Sequence, residues 1–101
     1  MIKSFLTPHT KKLFLGDGLT KKDRINLGAL KIDKAFQRLA LLDQADEKLL
    51  LSTPAVHYRS LKGTTRCSID TEARNSKWRI TFAWENDEKA DVELVLLADA
   101  H

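Results

Sequence analysis

In the first half of the chain apolar residues recur every three or four positions, and beyond Pro54 they recur at every second position. The first spacing is that of a helix with one buried stripe, the second that of a strand with one buried face. The pattern therefore predicts helices followed by a sheet. Ahead of the helices, Ile2 to Leu6 alternate as a short strand. Pro8 ends it, because proline has no N–H for a ladder and suits the first turn of a helix. Thr7 is placed to cap that helix, which runs to Leu15 and closes at Gly16-Asp17-Gly18.

A longer helix is predicted from about Lys22 to Ala45, with Ile25, Ala29, Ile32, Phe36 and Leu39 as its inward stripe and Leu27, Leu30 and Leu41 widening it. Lys21, Lys22, Arg24, Lys31, Lys34 and Arg38 fill its outer side, read first as solvated surface and second as a binding face. A further helical turn spans Asp46 to Leu51. Four strands follow: Val56 to Lys62, turned at Gly63-Thr64; Arg66 to Thr71; Trp78 to Trp84; and Ala90 to Leu97, after the turn signal Asn86-Asp87. In the third, Trp78, Ile80, Phe82 and Trp84 share one face and Arg79 takes the other. In the fourth, Val92, Leu94 and Leu96 oppose Glu93, Val95 and Leu97, and continued alternation carries Asp99 and His101 onto the latter face. The expected class is α+β, with helices on one side of a mostly antiparallel sheet.

Composition narrows this picture a little. A chain of 101 residues, 43% hydrophobic and 31% charged, suits one packed domain over 1–101. Lys and Arg number 17 against 14 Asp and Glu, a net charge of +3 that favours polyanionic partners without requiring them. The single Cys67 excludes an intramolecular disulfide and a thiolate-rich metal site, and is read as a buried filler in a reducing cytoplasm. No apolar run approaches membrane-spanning length, and Met1 to Leu6 is too short for a signal segment, so a soluble cytoplasmic protein without membrane contact is expected.

Four strings carry a family resemblance: Met1-Ile2-Lys3-Ser4-Phe5, Leu61-Lys62-Gly63, Trp78-Arg79-Ile80-Thr81-Phe82 and the terminal Asp99-Ala100-His101. With the element order, they make the whole chain resemble HigB-type toxins of the RelE superfamily. The resemblance implies a RelE-type microbial RNase fold and a ribosome-dependent endoribonuclease that cuts messenger RNA in the A site without metal or cofactor. It also implies a cognate helix-turn-helix antitoxin of the HigA kind, with operator DNA reached only through that antitoxin.

Metal-free RNA cleavage uses the adjacent 2′-hydroxyl as nucleophile. The protein must take its proton, protonate the 5′ leaving oxygen and neutralise the phosphorane between them. Lys62 and Arg79 supply fixed positive charge and map by resemblance onto the family's functional cations. His101 is the natural proton-transfer group and Asp99 its neighbour, both matching the family terminus. Ala100 departs from it, standing where family members usually carry tyrosine. A methyl group neither stacks nor transfers a proton, and a divergent toxin, a degenerate binder and an engineered substitution all fit. Arg59 stands where many relatives have His. His57 shares its expected strand face and is read as a surface or core histidine, with proton transfer as the alternative. Arg59, together with Arg74 and Lys77 of the loop Glu72 to Lys77, is a candidate RNA contact, with an ordinary solvated loop as the plainer reading of that loop. His9 is read as a capping or surface residue, and Trp78 and Trp84 as core.

Overall fold

A computed structural model describes residues 1–15, 32–71 and 78–99. Within them the chain forms α1 (Pro8–Leu15), α2 (Ile32–Gln44), α3 (Glu47–Leu51), a 3-10 turn (Pro54–Val56) and four strands. These are β1 (Arg59–Ser60), β2 (Arg66–Asp70), β3 (Trp78–Trp84) and β4 (Val92–Asp99). The strands form one antiparallel sheet in the order β1-β2-β3-β4. The fold is α+β. Among the described residues no helix is long and apolar enough to cross a membrane.

Local chemistry accounts for the helix ends. Thr7 Oγ1 accepts the amide of Thr10 at 3.4 Å, satisfying one of the N-terminal donors that a helix cannot pair internally. Asp46 does the same for α3 through the amide of Leu49 at 2.8 Å. The basic helix face at Lys21, Lys22, Arg24 and Lys31 lies outside the described residues, as do Ile25, Leu27, Ala29 and Leu30 of the stripe. Within α2 the buried stripe is Ala35, Leu39 and Leu42, whereas Phe36 is exposed. The expected and observed stripes share Leu39 and differ by about one residue of helical rotation.

The core lies between these helices and one face of the sheet. Leu13, Leu39, Leu42 and Leu50 pack with Cys67, Ile69, Ile80, Phe82, Val92 and Val95. Register explains the selection: Cys67 pairs with Phe82 and Ile69 with Ile80 across β2 and β3, so all four stand on the helix side. Arg66, Ser68 and Asp70 then share the opposite face with Ala83, Thr81 and Arg79. Cys67 is buried, as its strand position suggests.

Three local breaks correct the strand pattern. Ile2 and Phe5 make isolated parallel bridges to Val92 and Val95 instead of a continuous N-terminal strand, adding a short parallel edge beside β4. The strand expected from Val56 to Lys62 is reduced to Arg59–Ser60, because Val56 ends a 3-10 turn that His57 caps in the left-handed conformation (φ 50, ψ 50). Lys62 consequently stands in the turn after β1 rather than at a strand end. In β4, Leu94 has φ 52 and the register against β3 shifts between Thr81 and Ala83. This bulge puts Val92 and Val95, three residues apart, both into the core. Side chains meet the backbone groups of the bulge: Ser4 Oγ accepts from the Leu94 amide at 2.9 Å, and Arg66 donates to the Leu94 carbonyl at 2.8 Å.

Candidate functional site

Three consecutive residues, His57, Tyr58 and Arg59, divide between two polar clusters. Tyr58 turns toward the helices. Its hydroxyl donates to Glu47 Oε2 at 2.8 Å and accepts from Trp84 Nε1 at 3.1 Å, while Lys89 Nζ holds the same Glu47 oxygen at 3.1 Å. The ring stacks on Phe82 with centroids 6.4 Å apart, and Cys67 Sγ lies 3.7 Å from the hydroxyl. Hydrogen bonds from Tyr58 and Lys89 pull the Glu47 carboxyl below its ordinary range, and burial pushes the Tyr58 phenol above its own. A cleft of about 470 Å³ opens alongside, bordered by Tyr58, Cys67, Trp84, Asn86 and Lys89. Aligned hydrogen bonds join Tyr58, Glu47, Trp84 and Lys89, the arrangement of a structural tie between α3, β3 and the β3–β4 turn.

His57 and Arg59 turn to Asp70, the last residue of β2, whose side chain is wholly buried. His57 Nδ1 stands 2.8 Å from Oδ2, Arg79 Nε 3.0 Å from Oδ1 and Arg59 Nη2 3.9 Å from Oδ1. The two short contacts are close ionic approaches without hydrogen-bond alignment, and neither Asp70 oxygen has an aligned donor. Arg79 also donates from Nη1 to the Trp78 carbonyl at 2.8 Å, which fixes its guanidinium plane on β3. One carboxylate meets two guanidiniums and an imidazole. A buried carboxylate without such cations is strongly unfavourable, so Asp70 and its basic neighbours require one another.

Of the residues expected from sequence, Arg59 and Arg79 come together in this cluster. Lys62 does not join it. It is exposed in the turn that leads to Arg66, and Arg66 lies four residues along β2 from Asp70, about 13 Å at the usual strand rise. Arg66 itself is committed to the fold through Thr81 Oγ1 and the Leu94 carbonyl, both at 2.8 Å, and burial lowers its pKa from the ordinary value. Asp99 ends β4, where backbone register sets it across from Trp78 and sets Ala98 across from Arg79. Arg74, Lys77, Ala100 and His101 lie outside the described residues. Trp84 belongs to the structural cluster, Trp78 packs against the core, and His9 is an exposed residue of α1.

Asp70 was not anticipated. A signal for it existed: counting back from both ends of the loop Glu72 to Lys77 pairs Thr71 with Trp78 and then Asp70 with Arg79, the register observed for that second pair. A lone carboxylate on a strand face opposite an arginine marks a site where charge is collected. No model of a known protein family matches the chain, and a search of curated proteins returns no match.

Proposed function

We propose that the chain is a ribosome-dependent messenger endoribonuclease of the HigB-like, RelE-type kind, cytoplasmic and restrained by a helix-turn-helix antitoxin. The observation that carries this is the gathering of Arg59 and Arg79 around Asp70 on the sheet face opposite the core. The four strings shared with that family support it. In this reading RNA lies across that face, and Arg79, held between Asp70 and the Trp78 carbonyl, meets the scissile phosphate as a prepositioned cation. Lys62 supplies further positive charge from its turn. His101 moves the proton, Asp99 orients it or shares that role, and Arg59, Arg74 and Lys77 contact RNA. The 2′-oxygen attacks phosphorus, the bond to the 5′ oxygen breaks, and the products are a 2′,3′-cyclic phosphate and a 5′-hydroxyl.

Ala100 favours a second reading, a module of the same fold that binds its antitoxin and represses the operon without cutting RNA. Inducing the chain alone, with Ala100→Tyr beside it, separates the two. The nuclease reading expects arrested growth and translation from the native chain, sharpened by Ala100→Tyr; undisturbed translation from both would refute it.

A further inference from the structure

Resting on the nuclease reading above, we propose that His57 is a catalytic residue that takes the 2′-hydroxyl proton through Nε2, and that Asp70 is the positioning residue that orients it. Three observations lead to this pair. His57 Nδ1 is buried and lies 2.8 Å from Asp70 Oδ2, a close contact without hydrogen-bond alignment, while 36% of the side chain is exposed. A carboxylate at one ring nitrogen favours the proton there and leaves the other nitrogen to accept, as a general base requires. Second, the same carboxylate is 3.0 Å from Arg79 Nε, so one buried group sets the proton acceptor and the phosphate cation in fixed relation. Third, His57 occupies the left-handed region at φ 50, where a glycine sits without cost and a side chain is strained.

The step balances without a co-reactant. Nε2 accepts the hydroxyl proton as O2′ bonds phosphorus, the bond from phosphorus to O5′ breaks, and O5′ takes a proton from a second donor, the role given above to His101. Asp70 of β2, Arg59 of β1 and Arg79 of β3 are the charged groups facing His57 among the described residues. A general base acts only when unprotonated, so its involvement is read from the acid limb of the cleavage profile.

The test is single-turnover cleavage of ribosome-bound message as a function of pH by the full chain, His57→Gln, His57→Gly and Asp70→Asn. His57→Gln is expected to cut about 10²–10⁴-fold more slowly and to lose the acid limb. His57→Gly should be slowed equally, keep or gain thermal stability because the backbone strain is relieved, and recover cleavage in added imidazole. Asp70→Asn should slow cleavage and displace the acid limb; should it fail to fold, the two His57 variants decide. Wild-type rate and an unaltered profile in His57→Gln would overturn the proposal while leaving the nuclease reading intact. A native chain that cuts nothing would overturn both.

Discussion

The two clusters that share the segment His57-Tyr58-Arg59 have similar composition and opposite character. On the helix side, aligned hydrogen bonds run from Trp84 to Tyr58 and from Tyr58 and Lys89 to Glu47. On the other face, two guanidiniums and an imidazole approach the Asp70 oxygens without hydrogen-bond alignment, and the backbone is strained at His57. A satisfied network holds elements together. A strained cluster without aligned hydrogen bonds departs from local consistency, and such departures concentrate at working sites.

Substitutions should separate the clusters by what each one costs. The largest effect is expected from Asp70→Ala, which leaves Arg59, Arg79 and His57 facing one another and should lower unfolding free energy by about 3–5 kcal/mol, read from the urea midpoint. Arg79→Lys keeps the charge and loses the planar fork. Message cleavage should fall at least about tenfold while stability changes by less than about 1.5 kcal/mol; a full-rate variant would place the phosphate elsewhere. Tyr58→Phe is the mirror case, costing about 1–2 kcal/mol of stability with cleavage within about twofold of native.

The pH dependence of the helix-side cluster has a defined sign. Burial raises the Tyr58 phenol, so its contribution to stability is complete below the ordinary phenol value near 10 and is lost as pH rises. Tyr58→Phe should remove that alkaline component. The smallest effect is expected from Glu47→Gln. Glu47 is lowered in the fold, so its ionised form stabilises above the ordinary value of 4.5 and that contribution disappears as pH falls through the lowered one. At neutral pH the variant should lose under about 1 kcal/mol, since Glu47 is partly exposed, and the difference should vanish in acid. A gap that persists in acid would mean that packing, and not charge, matters there.

Much of the framework was legible from spacing. β3 was readable at both ends because four large apolar residues alternate without interruption, and Thr7-Pro8 announced α1. The breaks were not legible, for physical reasons. Leu94 is an ordinary strand residue, and its bulge arises from closing β4 against both β3 and the N-terminal bridges. His57 bends the chain where a glycine would have given warning. Phe36 and Ala35 are equally apolar to a periodicity argument, and only the rotation of α2 in the fold selects between them. Within the site, Arg59 and Arg79 were visible as basic residues on a strand face. The buried carboxylate that unites them required the register of two strands rather than the pattern of either.

The central claim is that the charged face built on Asp70 cuts messenger on the ribosome. Mapping 5′ ends of cellular messenger after inducing the native chain, beside Arg79→Ala, tests it most directly. New ends clustered at codon boundaries within translated regions, present with the native chain and absent with Arg79→Ala, are predicted. Identical end maps from the native chain and an uninduced control, or equal cleavage from Arg79→Ala, would contradict it.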